Sequence, residues 1–394
     1  MKKCRLFLLV SLVLAFVAGF GQGEKSSDFS RKLSDAMGNT RIVISGTAWF
    51  GYQAILNNKS ATDVTSNFND YGFSPVFLWK ISNRMFFESE IEIGGGEFEL
   101  EFAKLSFIVN DYITIGAGRM LTPFGAYSEN WEPKFVERFP NGPIRATGGS
   151  HINRGAIMGI DIRGGIPLGS AKMNYAVFVS NGPILDQSNG MIQYENILDE
   201  NNNNKEFGGR IGILPISNST LEVGFSIKHG IAGNQGDSAY KDIAATAWAI
   251  DLNYVTDIKP IKSTITLRGQ YNSLKVDNAN YPVEEGAKAT GDTYTFDNQQ
   301  QLYFAQFSIR PSLVRSKFWK NLELLARVNG LKDPKDAMWG AKDENGDGGT
   351  VIRTDLGLTY WLSWRASLRF AYESKSLPDN TKNNEFLAMI VYGL

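Results

Sequence analysis

Cysteine is almost missing: the 394-residue chain has one, Cys4. A single thiol makes no internal disulfide, so the fold must hold without covalent staples, and a cysteine-based metal centre is excluded. Histidine is nearly as scarce. His151 and His229 are the only two, and neither has a nearby Ser with an orienting carboxylate in sequence, which points away from an enzyme. No P-loop and no dinucleotide fingerprint is present. Long apolar runs are lacking too, apart from Leu6 to Phe20, which falls short of the ~20 residues that a spanning helix needs. Neither sign of charge is in excess: 40 Lys+Arg stand against 41 Asp+Glu, so nucleic acid is not an expected partner. No Pro/Ser-rich linker or shift in composition divides the chain.

The chain opens with "MKKCRLFLLVSLVLAFVAGFG", which sets Lys2, Lys3 and Arg5 ahead of the apolar run and closes on the small residues Gly19 and Gly21. That is the form of a secretory signal peptide, residues 1–21, with cleavage expected before Gln22. Cys4 leaves with it. The mature chain then holds 37 Lys+Arg against 41 Asp+Glu, a net charge of −4. Residues 22–40, "QGEKSSDFSRKLSDAMGNT", are polar and read as a periplasmic arm ahead of one large domain, 41–394.

Within 41–394 the dominant signal is period 2. "LEVGFSIKHG" sets Leu221, Val223, Phe225 and Ile227 against Glu222, Gly224, Ser226 and Lys228, a strand with one apolar and one polar face. "TITLRGQYN" and "ASLRFAYES" read the same way. Sixteen such segments can be counted, from 41–56 to 384–394. Short gaps ("NR", "ND", "PLGS", "ISNS", "DIKPI", "SW") separate some. Others are divided by long Asn/Asp/Gly-rich stretches, at 57–70, 122–154, 182–205, 277–298 and 332–349. Short turns on one side and long loops on the other are the pattern of a transmembrane β-barrel of the outer membrane. The apolar parity repeatedly ends in rings, at Trp49, Trp79, Tyr112, Tyr254, Tyr271, Tyr360 and Tyr372, as suits the two membrane interfaces. A soluble sandwich or propeller is the competing architecture, and no repeat beyond the hairpin rhythm supports a propeller. The last segment, "FLAMIVYGL", ends the chain on an apolar strand of the kind that the barrel assembly machinery reads. The expected fold is therefore an all-β antiparallel barrel of about 16 strands, surrounded by outer-membrane lipid and lipopolysaccharide.

The longest stretch without a period follows strand five. In "GAGRMLTPFGAYSENWEPKFVERFP" a Gly-rich strand leads into a "PFG" turn and then an aromatic–acidic–Arg patch. This segment resembles Gram-negative outer-membrane porins, and most of all the phosphate-selective porin O and P family with its Bacteroidota relatives. The resemblance implies a sixteen-stranded, homotrimeric channel whose third external loop folds into the lumen, with Glu137, Arg138 and Arg145 at the constriction.

Residues of the parity opposite to the lipid face should line the interior. Those basic positions include Arg163, Arg210, Arg268, Arg310, Arg327, Arg353 and Arg369. Acidic ones concentrate in one hairpin, "FESEIEIGGGEFELEF", as Glu88, Glu90, Glu92, Glu97, Glu99 and Glu101. An acidic wall facing a diluted basic wall predicts a passive diffusion channel for small polar or charged solutes with weak ion selectivity. An anion or phosphate channel, a structural or adhesive surface barrel and a barrel enzyme are the alternatives. A parity slip is expected near Ala103 and Lys104. "DENGDGG" offers Asp343, Asn345 and Asp347 as the start of a calcium loop at 343–349, but the twelfth position is Thr354 instead of a bidentate Glu, so an ordinary hairpin loop is the stronger reading and no cofactor is expected.

Overall fold

A chain in lipid can satisfy its backbone groups as a helix or as a sheet closed on itself, and for strands with one apolar and one polar face closure is the way that leaves no edge. The computed structural model describes residues 41–57, 65–144, 152, 155–193, 198–216, 218–285, 288–343 and 348–393. The expected signal peptide and arm, together with Arg145, His151, Asn345, Asp347 and Leu394, lie outside them.

The strands are β1 (Ile42–Ile55), β2 (Ser66–Lys80), β3 (Met85–Gly94), β4 (Glu97–Ile108), β5 (Thr114–Leu121), β6 (Ala156–Leu168) and β7 (Ala171–Asn181). A small hairpin follows, β8 (Ile184–Leu185) with β9 (Ile192–Gln193). The run continues with β10 (Lys205–Leu214), β11 (Leu221–Ile231), β12 (Ala244–Ile258) and β13 (Ser263–Val276). A second hairpin, β14 (Tyr281–Glu285) with β15 (Lys288–Tyr294), precedes β16 (Gln299–Arg310), β17 (Leu322–Lys332), β18 (Thr350–Trp361), β19 (Ala366–Ser376) and β20 (Lys382–Gly393). Leaving out the two hairpins, the remaining sixteen strands form one closed antiparallel barrel, each paired with its neighbour in order. Pairing of β1 with β20, from Thr47 with Gly393 to Ile55 with Glu385, makes the seam.

Alternation is plain on β11: Val223, Phe225 and Ile227 are exposed outside, while Gly224, Ser226 and Lys228 are buried inside. An apolar outside around a polar inside is the reverse of a water-soluble protein, and it fits hydrocarbon. At the end of the barrel where the chain leaves β20, connections are short except for 311–321. Those at the other end are long except for 95–96 and 377–381.

Two sequence expectations need correction. Trp49 does not end an outward stripe. It is 5% exposed and packs inside with Met389 and Val391, while its neighbour Phe50 takes the outer face. Aromatic residues stand on both parities of β1, so period alone could not choose between them. The parity slip lies at Glu101, two residues earlier than expected: Glu90 pairs with Phe102 and Ile91 with Leu100, leaving Glu101 as the bulge.

The long loops roof one side of the barrel. Leu185, Ile192, Tyr281, Phe296 and Ala337 from the loops meet Phe124 and the inward-facing Ala245, Ala247, Ala249 and Leu274 in one apolar cluster. Three alanines in a row of inward positions on β12 leave the room that this packing fills.

Candidate functional site: the interior and the loop that crosses it

After β5 the chain turns inward through Thr122–Pro123–Phe124–Gly125. Gly125 has φ +67°, a left-handed conformation that favours glycine, and a Cβ there would run into the Gln270 carboxamide. Gln270 is why the turn sits where it does. Its Oε1 accepts the N–H groups of Ala126 at 2.8 Å and Tyr127 at 2.9 Å, while Gly125 N–H donates to Ser226 Oγ at 2.9 Å. These three bonds launch a π-helical turn, Tyr127–Trp131, whose Tyr127 and Trp131 pack edge-on against Phe304 of β16. Gly125→Ala is expected to leave the barrel folded and to loosen this loop, because a side chain in the left-handed region costs roughly 1–2 kcal/mol before any clash. Limited proteolysis of the purified variant should cut within 126–144 faster than in the parent. Equal cleavage rates would mean that the turn does not hold the loop.

From there residues 132–144 cross the interior and dock on the wall of β16 to β18. Glu137 is 4% exposed. Its carboxylate accepts the N–H groups of Arg138 at 2.8 Å and Phe139 at 3.1 Å and lies 3.4 Å from the Arg327 guanidinium. Arg138 donates to Glu323 at 2.7 Å and stacks over the Trp361 ring. Phe139 is fully buried beneath the Arg327 guanidinium, in a pocket with Leu325, Ala371 and Leu387. Arg327 also donates to the carbonyls of Asn141 and Gly142, and Arg353 to that of Gly142. So Glu137 and Arg138, expected at the constriction, both anchor the loop to the wall, and Glu137 also borders the open cavity.

All seven arginines singled out by parity face inward, and their partners change their meaning. Arg210 is held by Asp251 at 2.6 Å and Glu222 at 3.0 Å. Arg163 binds Asp161 at 2.5 Å and Glu129 of the loop at 2.9 Å, and Lys104 donates to the same Asp161 at 2.8 Å. Arg268 lies under Trp131 of the loop and reaches the Val136 carbonyl at 3.4 Å. Arg310 donates to the Lys320 carbonyl near the short-turn end. Arg327 and Arg369 are 2% and 1% exposed. The basic wall exists, but the third loop and wall carboxylates cover most of it.

What remains open is a cavity of about 650 Å³ between the loop and the opposite wall. Eight carboxylates line it, those of Glu90, Glu92, Glu99, Glu101, Glu132, Glu137, Glu373 and Glu385, against three cations, Lys134, Arg353 and Lys375. That is a formal excess of five negative charges. Of the six glutamates expected in the β3–β4 hairpin, Glu88 faces instead a smaller cavity of about 100 Å³ behind the loop, with Lys104, Arg163 and Arg210. Glu97, opposite Gly94 at the tip of the hairpin, is exposed at the rim and lines neither. Glu132, Lys134 and Glu385 were missed in sequence. The first two lie in a loop with no period to read, and Glu385 sits within reach of Gln53 across the seam at 2.7 Å.

His229 is exposed on the outer face, its ring Nδ1 2.8 Å from Thr246 Oγ1. Among the described residues no group of three or more His, Cys, Asp or Glu side chains is placed to hold a metal ion. Asp343 is the one member of the calcium candidate within them.

No protein-family model matches the chain, and no curated protein does. Solved structures share its fold. OmpF of Salmonella typhi, determined in complex with daunomycin, superposes with a TM-score of 0.58 at 13% identity, covering 90% of this chain and 97% of that one. OprB of Pseudomonas putida gives a TM-score of 0.58 at 8% identity over 93% and 97%. The anion-selective porin from Comamonas acidovorans gives 0.53 at 12% over 90% and 99%. At these identities the likeness is one of fold, and the fold is that of the outer-membrane porins.

Proposed function

We propose that the protein is a passive diffusion channel of a Gram-negative outer membrane, admitting small polar solutes and favouring cations. The porin fold supports the channel reading, and the excess of five negative charges around the cavity of about 650 Å³ carries the preference. Fixed carboxylates in a narrow, low-dielectric passage raise the local concentration of counter-ions and lower that of co-ions. The anion or phosphate alternative requires arginines free to meet a passing anion, and here Arg163, Arg210 and Arg327 are each already bound to carboxylates. The same reading gives the barrel a cleaved signal peptide, insertion by the barrel assembly machinery, lipid and lipopolysaccharide around its wall, and assembly as a homotrimer. An OmpT of Vibrio cholerae with the same fold has been solved in a trimer form.

Purified protein in a planar bilayer under a KCl gradient tests the proposal. The reversal potential is expected to take the cation-selective sign at 0.1 M salt, where charges act over ~10 Å, and to shrink toward zero at 1 M, where they act over ~3 Å. Exchanging Glu90, Glu92, Glu99 and Glu101 together for Gln should remove most of it. A reversal potential of anionic sign, or block of chloride current by millimolar phosphate, would replace this reading with the phosphate one.

A further inference from the structure

The open passage is a crescent. One side is the third loop, and the other is the run of wall β18–β19–β20–β1–β2–β3–β4–β5. Midway along it, one side chain of the loop reaches across. Lys134 stretches to β1 and β2, placing its Nζ 3.6 Å from Asp70 Oδ2 and 5.2 Å from the centre of the Trp49 ring. The corner that receives it is built in advance. Trp49 Nε1 donates to Asp70 Oδ1 at 2.7 Å, fixing carboxylate and ring together. Gly72 stands opposite Trp49 in the ladder, and the indole lies flat over it, where any Cβ would collide with the ring. Met389 and Val391 pack against the same indole.

An aromatic face beside a carboxylate is a cation-binding arrangement. Here it is filled by the chain's own ammonium. Lys134 and Asp70 are both about one-third exposed, at 30% and 35%, so water and salt weaken the contact. The carboxylates of the crescent lie on both sides of it: Glu90, Glu92, Glu99 and Glu101 toward β3 and β4, Glu373 and Glu385 toward β19 and β20.

We infer that Lys134 is a displaceable bar across the channel, dividing the acidic crescent into two lobes and setting the size and charge of the cation that passes. The inference rests on the channel reading above. A permeating cation, whether a metal ion or an organic ammonium, is drawn in by the carboxylates and competes with the Lys134 ammonium for the Trp49–Asp70 corner. While Lys134 holds the corner the waist is narrow. When the corner is vacated the two lobes join.

Two substitutions separate a bar from a mere charge. Lys134→Met keeps the length of the side chain and removes the ammonium, and Asp70→Asn keeps the ammonium and removes its partner. Their electrostatic effects are opposite: the first should move the reversal potential further toward cations, the second back toward anions. Their steric effects should agree. Both release the waist, so both are expected to raise the conductance in tetrabutylammonium chloride relative to potassium chloride, by about two-fold or more. Lys134→Arg, which keeps the positive charge and can still reach the corner, should not raise this ratio. Heat-modifiable migration in gels confirms that each variant is folded. If the reversal potentials move in opposite directions while the tetrabutylammonium ratio stays at its parental value in both variants, Lys134 is only a charge in the pore and the bar is refuted. A parent protein with no conductance at all would instead defeat the channel reading, and the bar with it.

Discussion

Removing residues 128–147 is expected to raise single-channel conductance several-fold and at the same time to bring the reversal potential close to zero. The segment "SENWEPKFVERFPNGPIRAT" contains Glu129, Glu132 and Glu137 and also Lys134, Arg138 and Arg145, so its excision removes no net charge. Of these, Glu132, Glu137 and Lys134 line the cavity, a net loss of one negative charge from it, so most of the change in selectivity is expected from what the loop covers. Beneath it, Arg163, Arg210, Arg268, Arg327 and Arg369 lie among Asp161, Glu222, Asp251, Glu323 and Asp355. Opening this nearly neutral surface to ions dilutes the acidic crescent and widens the conducting section, since a sixteen-stranded barrel is too broad for its wall side chains to fill. The deletion should still assemble, because the ladder between β5 and β6 runs from Leu121–Ala156 to Thr114–Arg163 without the loop. Bilayer recordings of parent and deletion, each shown to be heat-modifiable, check both quantities. A folded deletion with unchanged conductance would place the loop outside the conducting path.

The second large effect is on stability. Arg327→Met should lower the temperature at which the barrel loses its compact, fast-migrating form, corresponding to a loss of about 3 kcal/mol, the low end of what breaking a buried ion pair costs. Arg327 is among the most tightly enclosed charges in the wall. It meets Asp355 at 2.7 Å with both side chains fully buried, lies 3.4 Å from Glu137, and covers Phe139 with its guanidinium. Methionine is apolar and ends short of where the guanidinium stands, so both ion pairs are lost. The effect stays at the low end because Asp355 retains Arg353 at 2.9 Å and Asn329 at 3.0 Å. Replacing both members, Arg327→Met with Asp355→Leu, should recover part of the loss, since the Asp355 carboxylate is removed as well, while Glu137 keeps its two backbone N–H donors but not its cation. The melting of the parent, the single variant and the double variant, followed by gel shift, decides it. A single variant as heat-stable as the parent would mean that water already reaches the pair.

The wall was legible in sequence because lipid and water impose opposite demands on alternate residues, as Phe225 and Ser226 show. Strand number, the side that carries the long loops, and the inward parity of Arg210, Arg327 and Arg369 all follow from that one contrast. It fails where both faces accept the same residue type, which is why Trp49 was placed outside. The site was less legible for a different reason. Parity says which way a side chain points and nothing about what lies over it. The seven arginines could be read as a free basic wall until the docked loop put Val136, Glu137, Asn141 and Gly142 against them. Within the loop, Glu137 and Lys134 looked alike as charged residues in an aperiodic stretch. Only tertiary contact makes one an anchor and the other a reach across open space. The two small hairpins in the long loops carry too few residues to show a period.

The docked loop also constrains the order in which the chain can fold. Its receptors arrive late in the sequence: Gly125 bonds Ser226, 101 residues on, Ala126 bonds Gln270, 144 on, and Arg138 meets Glu323, 185 on, and Thr359, 221 on. Contacts this distant cannot form until the strands that present them are laid into the sheet, and waiting for them slows folding. Residues 122–144 must therefore remain unseated through most of barrel assembly, and the nascent barrel shows its arginine wall to solvent until β18 is in place. The carboxylate-lined crescent is the last part of the interior to come into being.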